Sequence, residues 1–403
     1  MNTPERVDIL SPEFKANPFP FFANLRATQP VYRIALPDKT KVWLLSRYED
    51  VNLLLKDARF VKDRHNAMTP EQLRKQPWVP PMFRPLERTM IDVDPPDHTR
   101  LRQIVQKAFT PRLIEQMRTR VQTLAEELLD AATHKSEMDL IRDYALPLPM
   151  TLITDILGVP PRDRDRFHKW SKVIVSVNQF NNNWRVIPAI WMFNRYLRKF
   201  FRMRRAEPRD DLVSALIQAE EVGDRLNEDE LFAMVFLLLV AGHETTVNLI
   251  GSGVLELLRH PDQMDKLRSE PHLAGLAIEE LLRYTSPVFM STERYAREDL
   301  IIKGVTISQG DMTLGVIGSA NRDETVFENP DKLDIAREEN KHLAFGHGIH
   351  FCLGAHLARL EAQVAINTLL RRMPELRLKV PPDSLRWRQS LILRGLDALP
   401  VTS

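Results

Sequence analysis

At 403 residues, 43% of them hydrophobic, the chain can bury a large core and enclose a site away from water. Its 56 Lys and Arg nearly cancel 54 Asp and Glu, and the formal net charge of +2 excludes a broadly basic nucleic-acid binder. One cysteine excludes an internal disulfide, so the fold does not depend on an oxidising compartment.

Helical periodicity dominates from the N-terminus onward. Met1 to Phe14 is charged and lacks the apolar centre of a signal peptide, which predicts a cytoplasmic protein. Helices are expected over Pro18 to Thr28, Tyr48 to Lys56, Pro96 to Ala108, Pro111 to Thr133, Leu148 to Leu157, Arg162 to Val177 and Asp210 to Val222. Further helices follow over Glu228 to Arg259, Pro261 to Glu270, Leu273 to Tyr284 and Ala355 to Arg372. Short strands are expected at Val31 to Leu36, Val42 to Ser46, Leu300 to Ile307 around Lys303-Gly304, and Leu391 to Arg394. The class is therefore mainly α with small β-sheets. No Gly/Ser or Pro-rich linker divides it, so residues 1–403 read as one domain. Val61 to Arg88 carries five prolines and little periodicity; a loop that long is usually functional. Phe180 to Trp191, rich in Asn and aromatics with a break at Pro188, suits a mobile lid. The basic run Arg195 to Arg205 reads as a solvated helix face.

Glu228 to Arg259 is the best-defined element. Asn227 with Glu230 forms a capping box, and Pro261 stops the helix after a span of roughly 48 Å. Its longest uncharged apolar run, Leu231 to Gly242, is too short to cross a bilayer and reads as buried core. Then Ala241-Gly242-His243-Glu244-Thr245-Thr246 interrupts the apolar pattern. Gly242 costs about 1 kcal/mol relative to alanine, and the Thr245 hydroxyl can turn to the Ala241 carbonyl and bend the helix. A buried Glu244 is costly unless paired or used to move protons. The segment reads either as a notch for a small ligand beside an acid and an alcohol, or as a polar stripe facing a wet groove.

Phe345-Gly346-His347-Gly348-Ile349-His350-Phe351-Cys352-Leu353-Gly354 leads directly into the helix from Ala355. Its glycines permit tight turns and close approach to a flat partner. Cys352 stands just before a helix N-terminus, where free amides favour a thiolate. Zinc is disfavoured because no second cysteine or paired histidines are present; His350 remains a conceivable base for a cysteine nucleophile.

Residues 345–354 match without a gap the pattern Phe-Gly-x-Gly-x-His-x-Cys-x-Gly, and the chain thereby resembles the cytochrome P-450 family over essentially its whole length. Ala241 to Thr246 is similar to the family's oxygen-binding segment, and Glu280-Leu281-Leu282-Arg283 to its Glu-x-x-Arg motif. Asn329 to Arg337 resembles the loop that supplies that pair's third member, here Arg337; Leu333 stands where the family often has Phe. Asp94 to Arg102 resembles the segment whose His and Arg bind haem propionates, which nominates His98 and Arg102; Arg294 and His350 align with further propionate ligands.

The resemblance implies the P-450 fold, with haem b buried between the long central helix and the helix after the cysteine loop. Cys352 would ligate the iron, within a loop that includes Phe345, Gly346 and Gly354. Electron donation from its thiolate favours O–O cleavage. Glu244 and Thr245 would deliver protons, with Ala241 and Gly242 leaving room for dioxygen. One oxygen atom would enter a small apolar substrate by hydroxylation or epoxidation. Met82, Phe83, Leu86, Phe180, Trp184, Ile187, Val240, Val288, Phe289, Met290 and Ile392 are the expected pocket walls. The chain ends soon after Leu391 to Leu396 with no flavin or iron–sulfur module. Electrons would then come from a ferredoxin or flavodoxin with its reductase, docking on a basic patch of Lys107, Arg112 and Arg359. No nucleic-acid or membrane partner is expected. A peroxide-driven peroxygenase, which typically lacks the acid–alcohol pair, and a haem-thiolate sensor or carrier without catalysis are the rival readings.

Overall fold

The structure, a computed structural model, describes residues 8–76, 85–109, 111–133, 137–175, 186–218 and 226–402. Most expected helices form close to their expected ends: Phe19–Thr28, Tyr48–Lys56, Asp97–Ala108, Pro147–Ile156, Arg164–Val175, Leu212–Gln218, Pro261–Ser269, Ala274–Thr285 and Ala355–Arg372. The expected Pro111 to Thr133 helix is two, Pro111–Gln116 and Arg118–Thr133. The basic run Arg195 to Arg205, expected as a helix face, belongs to a longer helix, Val186–Ala206, whose early start was not expected. Pro188 falls in its first turn, where a missing N–H removes no intrahelical bond, so this proline starts a helix instead of breaking one.

Five short strands form the largest sheet. Val31–Ala35 pairs antiparallel with Lys41–Leu45, which runs parallel to Met312–Gly315. Arg294–Ala296 pairs antiparallel with Met312–Gly315 and with Phe60–Val61 on its other side. Leu300–Ile302 and Val305–Ile307 form the expected hairpin, with Lys303 and Gly304 at positive φ in its turn. Leu391 to Arg394 does not form a ladder strand; Leu393 makes a single bridge to Val288.

The central helix Glu228–Arg259 packs against Pro147–Ile156, Ala274–Thr285 and Ala355–Arg372. Its capping box is present: the Asn227 carbonyl oxygen accepts from the Glu230 amide at 2.8 Å, and the Glu230 carboxylate accepts from the Asn227 amide at 2.9 Å. Among the described helices this one alone is long and apolar enough to cross a membrane, and 56% of its apolar window is buried within the fold. It stays α-helical through Gly242 and Thr245, so the expected bend does not interrupt it.

A buried carboxylate ties Ala274–Thr285 to the chain leading into the cysteine loop. Glu280 and Arg283 are both fully buried. Glu280 accepts from the Arg283 guanidinium at 2.7 and 2.8 Å, from Arg337 at 3.1 Å, from Asn340 at 3.1 Å and from the Asp334 amide at 3.0 Å. Arg283 also donates to the carbonyls of Asn321 at 2.9 Å and Pro330 at 2.7 Å. Every charge is opposed and nearly every lone pair filled, which is the condition under which a buried ion pair is tolerated. Glu280→Ala leaves Arg283 charged and buried, at a cost of about 3–5 kcal/mol. Thermal unfolding followed by circular dichroism should fall by roughly 5 °C or more, and more than for Arg337→Ala. Melting unchanged from the parent protein would show that the network carries no stability.

Candidate functional site

The cysteine loop folds back on itself before the helix begins. The Cys352 amide donates to the Phe345 carbonyl at 2.9 Å. Gly346 and Gly348 have φ of 71° and 72°, in the left-handed region that favours glycine. A Cβ at Gly348 would lie 2.7 Å from the Leu55 carbonyl oxygen, so this turn admits no side chain. The Arg359 guanidinium sits 4.4 Å above the Phe345 ring and bonds Glu279 at 2.6 and 2.8 Å. Burial would raise the Glu279 carboxyl, but Arg359 and His342 outweigh it and hold the group at about 2. Arg359, part-exposed, thereby braces the loop from the side of the following helix. Lys107 is exposed, and the Arg112 side chain lies outside the described residues.

Burial pushes the Cys352 thiol up, against the Gly354 amide and the charges of Arg102 and Arg359, which pull it down. The helix-terminal amide acts on the sulfur in the expected direction, toward a thiolate, and burial acts against it. Among the described residues, no three His, Cys, Asp or Glu side chains gather to hold a bare metal ion.

Beside the cysteine lies a set of cations and imidazoles, His98 and Arg294 buried, Arg102 and His350 half-buried. His98 and Arg102 stand one turn apart on Asp97–Ala108; Arg294 begins a sheet strand; His350 precedes the cysteine. The His98 and His350 rings are 4.2 Å apart, centre to centre. Both nitrogens of His98, Nε2 of His350 and Nε of Arg294 are buried without a hydrogen-bond partner among the described residues. Burial lowers every member: His98 downward, Arg294 to about 10 and His350 to about 2, the last also repelled by His98, Arg294, Lys62 and Arg102. Asp94, whose charge His98 and Arg294 both feel, is occupied by the Lys62 and Asp63 amides and the Asn66 side chain. Buried donors that repel one another and lack acceptors call for anionic oxygens. Two propionate carboxylates satisfy that demand, so these residues fit a haem.

The central helix packs against the helix that follows the cysteine loop and is open over its middle. It is buried over Leu231 to Val235 and from Thr246 to Leu257, yet Ala241 is exposed and Val240, Gly242, Glu244 and Thr245 are partly so. The Thr245 hydroxyl donates to the Ala241 carbonyl at 2.9 Å. A Cβ at Gly242 would make only an ordinary 3.5 Å contact with Ile153, so packing does not demand glycine there. Burial raises the Glu244 carboxyl, while Arg388 at 3.3 Å draws it back down.

Four participants carry no local sequence signal. Arg388 reaches Glu244 from 144 residues away. Lys62 donates to the Thr292 hydroxyl at 2.7 Å and the Glu293 carbonyl at 2.6 Å, and burial lowers it to about 8. Asn340 completes the Glu280 network. Glu361, buried on the helix after the cysteine, is raised to about 8 by burial, partly offset by a hydrogen bond to the Thr246 hydroxyl.

The expected pocket walls divide. Met82, Phe83, Phe180 and Trp184 lie outside the described residues. Leu86, Ile187, Val240, Val288 and Ile392 are partly open. Phe289 and Met290 are corrected to core: they are 2% and 0% exposed, in an apolar cluster where Phe289 meets the rings of Phe19 at 5.9 Å and Phe22 at 5.6 Å.

The cytochrome P450 family profile matches residues 6–394. The polyketide biosynthesis cytochrome P450 PksS of Bacillus subtilis is 45% identical over 393 residues, covering 97% of this chain and 96% of that protein. Its solved structure superposes with a TM-score of 0.92, covering 98% of this chain and 99% of that one. The vitamin D(3) 25-hydroxylase of Pseudonocardia autotrophica is 45% identical, covering 99% and 96%. The structure of P450BioI with an acyl carrier protein ligated to hexadec-9Z-enoic acid has a TM-score of 0.87 at 40% identity, covering 98% and 100%.

Loss of one buried donor should loosen the cofactor. His98→Leu is expected to release haem to an apo-globin acceptor about tenfold faster, since one charge-assisted hydrogen bond is worth that factor or more. An unchanged release rate would make His98 a packing residue.

Proposed function

Because the chain belongs to the cytochrome P450 family and is a monooxygenase, we propose that it inserts one atom of dioxygen into a long apolar organic substrate, by hydroxylation or epoxidation. Residues 1–403 act as one domain in this reading, in the cytoplasm, with electrons arriving from a separate ferredoxin or flavodoxin. Cys352 holds the iron, and His98, Arg102, Arg294 and His350 receive the propionates. Haem b, when bound, supplies the reductive activation of dioxygen.

The protein's own part is positioning and proton management. The observation that carries the reading is the acid–alcohol pair, Glu244 and Thr245, on the open stretch of an otherwise buried helix. A carrier or sensor has no use for a costly half-buried acid there, and a peroxide-driven enzyme needs no proton relay. Glu244 acts as a donor in its protonated form, which its burial favours. Thr245 Oγ, anchored to the Ala241 carbonyl, passes the proton onward. The apolar side chains of Val240, Val288 and Ile392 keep water from the reacting carbon. The substrate is a long acyl or polyketide chain, free or tethered to a carrier protein, as the known relatives suggest.

Two measurements test the relay. Thr245→Ala should still consume NADPH through its redox partners, but product per NADPH should fall roughly tenfold while hydrogen peroxide appears. Unchanged coupling would remove Thr245 from the relay. In the parent enzyme, coupling should fall as pH rises through the Glu244 pKa, because the donor loses its proton. Arg388→Met removes the group that lowers this pKa, so the fall should move to higher pH. The same pH limb in both proteins would separate Arg388 from proton delivery.

A further inference from the structure

Positive charge in this chain is segregated. Residues 162 to 211 hold thirteen Lys and Arg against five Asp and Glu, a net +8 in a chain whose total is +2. The remainder is therefore net acidic, and the excess lies on the two packed helices Arg164–Val175 and Val186–Ala206.

On Val186–Ala206 the two faces have opposite uses. Phe193, Leu197, Phe200 and Phe201 are buried, and Phe193 meets the rings of Phe232 and Phe236 on the central helix at 6.2 and 6.4 Å. The outward stripe is Trp191, Arg195, Lys199 and Arg202, spaced three or four residues apart along about 17 Å of helix. The neighbouring cations are committed elsewhere. Arg198 bonds Glu228 at 2.6 Å and Asp229 at 2.8 Å; Arg205 bonds Glu228 at 3.0 Å; Arg204 is buried on Asp211 at 2.5 Å. Arg195 sits over the Trp191 ring at 5.7 Å. Among the described residues, neither Lys199 nor Arg202 has an acidic partner. The stripe borders a groove of about 920 Å³ whose floor includes Trp170 and Tyr196.

We propose that this stripe is the docking surface for an acidic carrier protein that presents the acyl substrate. The inference rests on the carrier-borne reading above. A solvated helix face needs no such segregation of charge, and the earlier reading of Arg195 to Arg205 in those terms leaves the groove and exposed Trp191 unexplained. An anionic membrane fits less well: a membrane-lying helix turns a continuous apolar face outward, and here that face is already spent on the core. Among the described residues of this helix, Trp191 and Met192, 55% and 39% exposed, are the large apolar side chains left outside, at one end of the stripe. They suit an apolar contact beside a charged one. Through Phe193 the docked carrier would be one helix layer from the element that bears Glu244 and Thr245.

The test uses the haem-loaded enzyme and compares it with the Arg195→Glu/Lys199→Glu/Arg202→Glu variant. Each is titrated with free hexadecanoic acid and with an acyl carrier protein charged with the same chain, following the change in iron spin state. The carrier-bound chain should bind the parent about tenfold more tightly than the free acid, an advantage that shrinks with added salt. The variant should lose about tenfold for the carrier-bound chain and bind the free acid as before. Equal carrier binding by parent and variant overturns the proposal. So does charge-dependent binding to phosphatidylglycerol vesicles with none to the carrier. If neither form of the chain shifts the spin state, the acyl-substrate reading has failed, and fluorescence anisotropy of the uncharged holo-carrier decides the surface alone: binding lost in the variant supports it, and no binding to the parent overturns it.

Discussion

The carboxylate of Glu280 is the constraint on which the site's geometry rests. It lies where water cannot reach it, and a lone carboxylate there would be neutralised or would unfold its surroundings. It survives because donors from three places converge on it: Arg283 one turn away, Arg337 and Asn340, and the Asp334 backbone amide. Those last three lie just before the cysteine loop. The bonds fix the path of an irregular segment that has no ladder of its own. Glu279, next along the same helix, grips Arg359 beyond the loop and His342 before it. Adjacent acids on one helix thus clamp both ends of the segment that presents Cys352.

The loop so fixed places opposing influences on its cysteine. Desolvation raises the thiol even with a helix-terminal amide and two guanidinium groups nearby. The same desolvation depresses His98, His350 and Arg294 on the opposite side of the sign convention, favouring loss of their protons. Both effects have one origin: groups whose charged forms want a counter-charge are enclosed without one. A bound haem would answer both at once, with iron on the sulfur and carboxylates on the cations. This fit asks more than a cysteine motif alone, because it draws on three separate stretches of chain: His98 to Arg102, Arg294, and His350 to Cys352.

Legibility in the sequence followed the range of the interaction. The cysteine loop, the capping box at Asn227 and the Thr245 bond to Ala241 are complete within a few residues, so spacing disclosed them. Glu280 with Arg283 and Arg337 was accessible only through the family resemblance, and Asn340 was missed because one amide among many has no pattern. The strand Met312–Gly315 was missed because it is short and mostly buried, with no alternation to read. The start of the helix Val186–Ala206 was missed, although its basic run was read as a helix face, because Pro188 and the Asn-rich approach look like breakers unless the proline is known to sit in the first turn. Phe289 and Met290 were misassigned because sequence position near a pocket does not say which way a side chain turns.

Arg388 shows what lies beyond any local reading. Its guanidinium touches Glu244 at 3.3 Å and also donates to the Leu396 carbonyl at 3.2 Å. The ion pair therefore joins the middle of the central helix to the C-terminal segment. Coulomb attraction at this distance opposes the desolvation that raises the Glu244 carboxyl, so the two main influences on the acid pull in opposite directions. Neither influence is local in sequence: the burial comes from packing around the central helix, and the charge comes from a residue 144 positions away.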